Sequence, residues 1–176
     1  MATPPSQRQA RPEDASALLA LQREIYREGS GFVGDGPPSL EALTRRLRAL
    51  EPSQALYLVA GSAAGRLFAW LELSRHGPSR MRHVAVLTLA VAPGQRRRGL
   101  ARALLREGYR WAEQVGVEKI ALHVRAGNRP AIGLYEAEGF VLEGCERAQI
   151  RLAEGQAARY EDNLIMAKFL APERRG

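Results

Sequence analysis

Apolar positions along the chain change their period several times, and each change marks a predicted element. Leu18, Leu19, Leu21 and Ile25 fall at helical spacing behind Arg11, Pro12, Glu13 and Asp14, which begin a helix with acidic residues in its first turn. Residues 8–11 read as a short strand before it. Residues 29–38 hold four glycines and two prolines and predict a loop, after which Ser39 N-caps a second helix through Leu50. Residues 55–60 and 66–74 are β-rich runs separated by Gly61 to Gly65, the pattern of a hairpin. Residues 83–91 are almost continuously apolar, which predicts a strand buried on both faces, ending at Pro93 and Gly94. Leu100, Ala103, Leu104, Trp111 and Val115 then mark a helix closed by Gly116. Residues 119–124 give the next strand, and this β-helix-β unit predicts a right-handed parallel crossover. A short helix over 130–138 stops at Gly139. Residues 140–146 and 164–170 predict two final antiparallel strands joined by a polar loop around Gly155. No internal repeat or low-complexity linker interrupts the pattern.

At 176 residues the chain has a single-domain length, 1–176, with room for one sizeable core. Cys145 is its one cysteine, which excludes an intramolecular disulfide and a cysteine metal site, so no metal is expected. The first eleven residues are polar, and no run of about 18 apolar residues occurs, which predicts a soluble cytoplasmic protein without a membrane role. A net charge of +7 suits several polyanions, and its distribution narrows them. Arg96, Arg97, Arg98, Arg102, Arg106 and Arg110 cluster in and after one glycine-containing turn, with a smaller group at Arg174 and Arg175. No interleaved aromatics or known motif support nucleic-acid binding. The clustering favours a phosphate-bearing cofactor.

The turn from Arg96 to Ala101 lies between a strand and a helix, where unpaired N–H groups and the helix dipole hold phosphate. Gly99 and the small Ala101 let a diphosphate approach the backbone. Arg97, Arg98 and Arg102 add charge. A P-loop would need Lys-Ser/Thr after its last glycine, and a dinucleotide fingerprint needs three glycines, so neither is present. Taken alone, the turn also fits a plain helix N-terminus with a solvated basic edge.

One strand later come Asn128, Ala131, Tyr135, Gly139 and Phe140. Together with Arg96, Gly99 and Ala101 at the preceding turn, this chain resembles the GNAT acyltransferase superfamily, whose Arg/Gln-x-x-Gly-x-Gly/Ala signature and downstream Asn and Tyr it matches. The resemblance runs over residues 7–171. Residues 82–83, 125–132 and 158–167 are similar to bacterial amino-acid and protein-terminus N-acetyltransferases. It implies an α/β (α+β) fold with a mixed, mostly antiparallel central sheet, a splayed parallel strand pair and about four flanking helices.

The resemblance further implies acetyl-coenzyme A as cosubstrate and direct attack of a neutral amine on its thioester, through a tetrahedral intermediate. Backbone groups near Leu89 and Val91 would bond the pantetheine arm. Arg96, Arg97, Arg98, Gly99, Ala101 and Arg102 would hold the phosphates, with Asn128 beside the arm. Tyr135 would protonate the departing sulfur, since a phenol keeps its proton at neutral pH. Asn128 also reads as a loop or cap residue, and Tyr135 as a packing aromatic. Glu72 and His83 are weaker candidates for accepting the amine's proton, beside a water chain with no single base. Cys145 has no histidine partner by spacing and reads as a small buried or edge residue. The acceptor is a small amine, an amino acid or a peptide N-terminus; its identity depends on residues 29–38, 75–80 and 150–160, which carry no mechanism-bearing motif. A catalytically silent acyl-coenzyme A module is the alternative. Dimerisation through an open sheet edge or the last strands is compatible with the sequence.

Overall fold

A sheet of seven strands, with helices on both faces, organises the computed structural model, which describes residues 6–29, 32–34, 36–152 and 158–170. The strands are β1 (Ser6–Gln9), β2 (Ala55–Gly61), β3 (Leu67–Arg75), β4 (Val84–Val91), β5 (Lys119–Arg125), β6 (Val141–Arg151) and β7 (Tyr160–Phe169). The helices are α1 (Ala15–Glu28), α2 (Leu40–Arg48), α3 (Leu100–Gln114) and α4 (Arg129–Ala137). Strand order is β1-β2-β3-β4-β5-β7-β6, and every neighbouring pair is antiparallel except β4 and β5. Among the described residues no helix is long and apolar enough to cross a membrane.

Period-2 alternation divides the sheet into two faces. Leu56, Leu58, Leu71, Leu73, Leu87, Ile120 and Leu122 meet Leu104, Leu105, Trp111, Ile132 and Tyr135 of α3 and α4. Tyr57, Val59 and Trp70 point the other way and meet Leu18, Leu21 and Ile25 of α1 with Leu43 and Leu47 of α2. The apolar spacing seen in the sequence is therefore the spacing of these contacts.

Several boundaries differ from the sequence expectation, for local reasons. The first strand is Ser6–Gln9 and not 8–11, because Arg11 leaves the sheet to start the helix: its N–H donates to Asp14 Oδ2 (2.8 Å), and the same carboxylate takes two hydrogen bonds from Arg8. The last two strands are longer than expected. A bulge near Ala148, at φ 52°, lets β6 continue, and its N–H is satisfied by Asp162 Oδ1 (2.7 Å). The centre of the expected polar loop, residues 153–157, lies outside the described residues.

β4 also departs from expectation, since it is not buried on both faces. Ala85 and Leu87 are buried against the α3 layer, but Val86 is 39% exposed and residues 88–91 are half-buried. The cause is its neighbour. β4 pairs with β5 only at Val84/Lys119, Ala85/Ile120 and Val86/Ala121, after which the two parallel strands part. Beyond Leu87 a gap in the hydrogen-bonded ladder runs to the C-terminal ends of both strands.

Leu104 is fully buried where α3 crosses the sheet. Leu104→Ala should cost about 2–5 kcal/mol of unfolding free energy, read by urea denaturation. A loss well under about 1 kcal/mol would mean that α3 does not seal this layer.

Candidate active site at the parted strands

Peptide groups alternate in direction along β4. The Ala92 N–H donates to the Phe68 carbonyl (2.8 Å) on the β3 side, while the His83 carbonyl accepts from Glu118 and Lys119 on the β5 side. Even-numbered residues thus bond β3, and odd-numbered ones face the β5 side, where the ladder ends at Leu87 and the Leu89 peptide groups and the Val91 N–H point toward the position β5 has left. Such groups need a partner. An extended chain laid along the gap supplies one, as an added strand would.

The gap leads into the turn before α3. Arg97 has φ 61° and Gly99 φ 79°, left-handed values that glycine adopts freely and that cost an arginine about 1 kcal/mol. Residues alternating in this way turn successive N–H groups to one side. No side chain caps α3, whereas Ser39 Oγ accepts from Ala42 N (3.1 Å) at α2 and Asn128 Oδ1 from Ala131 N (3.3 Å) at α4. The amides of Leu100, Ala101 and Arg102 therefore keep their donors for an external anion, favoured by the helix dipole.

The arginines of this turn differ in their partners. Arg96 forms a two-pronged ion pair with Glu28 of α1, at 2.6 and 2.5 Å, and donates from Nε to the Val91 carbonyl (3.1 Å). Arg98 donates to Gln95 Oε1 (3.2 Å), and Arg102 pairs with Glu138 (3.1 Å). Arg97 is exposed and its side chain has no partner among the described residues. It is the guanidinium best placed to meet an anion without giving anything up.

Tyr135 sits on α4 at the core side of the gap, its ring tilted against Phe140 with centroids 5.4 Å apart. Its hydroxyl has no hydrogen-bond partner among the described residues, and burial pushes the phenol up to about 12. It is a neutral donor with its proton unassigned. Asn128 uses its side-chain oxygen to cap α4, and its N–H bonds the Arg125 carbonyl (2.9 Å), so its visible work is to turn the chain from β5 into α4.

The two candidate proton acceptors fall elsewhere. Glu72 lies on the α1/α2 face, opposite Thr88 of β4, and its Oε1 is held by Arg46 and by Ser74 Oγ (2.9 Å). His83 is exposed at the N-terminal end of β4, where β4 and β5 are still paired, at the far end of the strand from the turn. Glu72 is one strand removed from the parted stretch of β4, with its carboxylate already engaged, and His83 lies at the opposite end of that strand. Cys145 is exposed on β6, with its Sγ 3.6 Å from Asp162.

A group that spacing did not reveal does border the gap. His123 of β5 faces away from the buried Ile120, Leu122 and Val124, on the same face as Arg125, whose guanidinium reaches the Gly29 carbonyl at the end of α1 (2.8 Å). Asn163 of β7 is buried, donates Nδ2 to Glu146 Oε2 (2.8 Å) and approaches His123 Nδ1 at 3.3 Å. A carboxylate only accepts, so the amide nitrogen must face both groups; Nδ1 then accepts, and the neutral ring carries its proton on Nε2. Glu146 Oε2 stands 3.7 Å from Nδ1. Strand alternation would have turned His123 outward from the core, but its neighbours come from strands β7 and β6 and were invisible without the topology.

Comparison with known proteins identifies the family and the fold. Residues 17–140 match the family model described as the acetyltransferase (GNAT) family. N-alpha-acetyltransferase RimI of Mycobacterium tuberculosis is 33% identical over 77% of this chain and 82% of its own length. Streptothricin acetyltransferase of Streptomyces lavendulae is 31% identical over 91% of this chain and 92% of its own. The fold is also that of a phosphinothricin acetyltransferase from Sinorhizobium meliloti in complex with AcCoA, with TM-score 0.82 and 21% identity, over 96% of this chain and 89% of that one.

Tyr135 ionises less readily folded than unfolded, where the reference value is about 10. As pH rises from about 10 to about 12 the unfolded chain releases a proton the folded chain keeps, so stability is intact below that window and falls across it. Burial raises Tyr57 and Tyr109 as well, which steepens the fall. Tyr135→Phe should remove one proton's worth of slope, about 1.4 kcal/mol per pH unit, from urea denaturation between pH 10 and 12. An unchanged slope would place the phenol in water.

Proposed function

This chain belongs to the acetyltransferase (GNAT) family, and we propose that it transfers the acetyl group of acetyl-coenzyme A to a primary amine by direct attack within the gap between β4 and β5. The observation that carries this reading is a set of unanswered groups along one path: the Leu89 peptide groups, the Val91 N–H, the uncapped α3 amides and the Tyr135 hydroxyl. Their kinds match, in order, an amide-containing arm, a pyrophosphate and a departing sulfur. Acetyl-coenzyme A supplies the thioester whose C–S bond breaks as the new C–N bond forms.

The protein's part is to hold and to move protons. Leu89 and Val91 align the arm, and Arg97 with the amides of Leu100, Ala101 and Arg102 fixes the phosphates. Tyr135 gives its proton to the sulfur and keeps it until then, because burial holds the phenol neutral.

The amine approaches from the other face, where no buried residue of β5, β7 or β6 joins the α1/α2 core among the described residues. Glu146 and His123 border that approach. Glu146 attracts an ammonium. His123 takes up the amine's proton at Nδ1, exchanging the Asn163 contact for the nearby carboxylate. The acceptor class is a small amine, an amino acid or a peptide N-terminus; the two curated relatives bear names that specify different acceptors, an α-amine and streptothricin.

Thiol release from acetyl-coenzyme A should appear with at least one member of a panel of amino acids, short peptides, polyamines and aminoglycosides. Tyr135→Phe should lower kcat by about 10²–10⁴-fold while changing the acetyl-coenzyme A Kd little. The cosubstrate at 100 times its Kd should add about 2.7 kcal/mol to stability, read as a raised Tm. No rise in Tm at millimolar cosubstrate, with no thiol release from any acceptor, would sink the reading.

A further inference from the structure

Two consecutive residues at the end of α1 are fastened to the two strands that have parted. Glu28, its last helical residue, is gripped by Arg96, which also bonds the carbonyl of Val91 at the end of β4. Gly29, its left-handed cap at φ 71°, gives its carbonyl to Arg125 at the end of β5. Arg125 is anchored in turn by Glu161 of β7, through Nε (2.9 Å) and Nη2 (2.7 Å), and the other oxygen of Glu161 accepts from Gly127 N (2.6 Å). The side chains of Arg125 and Glu161 are both largely buried. No hydrogen-bonded ladder joins β4 to β5 at this level. The α1 terminus therefore spans the open mouth of the gap.

This placement bears on Arg96, which the phosphate-loop pattern would count as a phosphate ligand. Its guanidinium already faces a carboxylate with both terminal nitrogens and a carbonyl with the third. To reach a phosphate it would have to exchange one anion for another and release both α1 and the end of β4. Arg97, one residue on, is free to meet a phosphate with no such exchange. We propose that Arg96 and Arg125 are positioning residues, which hold the Glu28–Gly29 end of α1 as a brace across the parted strands and so set the width of the gap. Arg96 is thereby not a phosphate ligand. The proposal rests on the gap being the seat of the acyl carrier's arm, and it deepens that reading by assigning what keeps the seat open to the right width.

Two probes separate the roles: acetyl-coenzyme A, which has phosphates, and S-acetylpantetheine, which has the arm without them. Arg96→Gln and Glu28→Gln should each weaken both probes by a similar factor, roughly five- to tenfold, since each opens the same brace. Arg97→Gln should weaken acetyl-coenzyme A alone. The exchanged pair Glu28→Arg with Arg96→Glu should recover part of both affinities over the single variants, since it restores the ion pair but not the bond to the Val91 carbonyl, which a glutamate cannot donate to; no recovery for either probe would count against the brace. Loss of acetyl-coenzyme A affinity alone in Arg96→Gln, with Glu28→Gln unaffected, would overturn the proposal. Hydrogen exchange at residues 25–29 gives an independent reading. Protection there should fall at least tenfold in both single variants, and unchanged protection would remove the brace even if the parent protein binds neither probe. That last result would count against the cofactor assignment and leave the brace to the exchange data.

Discussion

The separation of β4 from β5 after Val86 and Ala121 is the constraint on which the rest of this structure depends. A sheet normally closes its ladder, because each unpaired peptide group in a protected position costs free energy comparable to a lost hydrogen bond. Here the ladder is left open for Leu89 and for the N–H of Val91, in the middle of a seven-stranded sheet. The sheet tolerates this because it is held on either side of the opening. β3 pairs with β4 along its whole length, and β7 pairs with β5 along its own. The opening is thus flanked by paired strands on both sides, and an extended ligand would complete the ladder without unpairing them.

The groups around the opening are sorted by what they already hold. Exposed ion pairs contribute little, about 0–1 kcal/mol, so the contact between Arg102 and Glu138 would yield readily to a phosphate. The Arg96 contact is of another kind: it combines two parallel bonds to one carboxylate with a third to a backbone carbonyl, which fixes its geometry. Tyr135 is the opposite case, a buried side chain whose hydroxyl has no partner among the described residues. Partnered groups shape the site, and unpartnered ones face what enters it.

Much of this was legible in the chain, and the limits of legibility have physical causes. Helix and strand periods located the elements, since Leu18, Leu21 and Ile25 on α1 or Leu100, Leu104 and Trp111 on α3 are core contacts as their spacing implies. The turn at Arg96 to Ala101 was legible because glycine at a left-handed position and an uncapped helix start are local properties. The apolar run of β4 misled, because composition reports that a strand avoids water and not whether protein or ligand covers it. Val86, Leu89, Ala90 and Val91 are apolar, yet the folded chain leaves them only partly covered. Arg96 was ambiguous for a related reason: its partner Glu28 lies 68 residues away, and no local pattern records that contact.

The same distinction explains why the donor side of the reaction is easier to read than the acceptor side. Everything that would hold the acyl carrier comes from one continuous stretch, β4 through α4, in which each element follows the last in sequence. The acceptor side is assembled from β5, β7 and β6, where β7 has inserted between its neighbours. Glu146 meets Asn163 only because a bulge follows it and the register places the two opposite each other. His123 then meets both across a second ladder. A one-residue slip in either pairing would turn the side chains to the other face and dissolve the group, with no change in sequence motif. Chemistry encoded by long-range register, and not by local turn geometry, is free to vary while the cofactor loop stays recognisable. That physical freedom is what lets one fold keep its donor and change its acceptor.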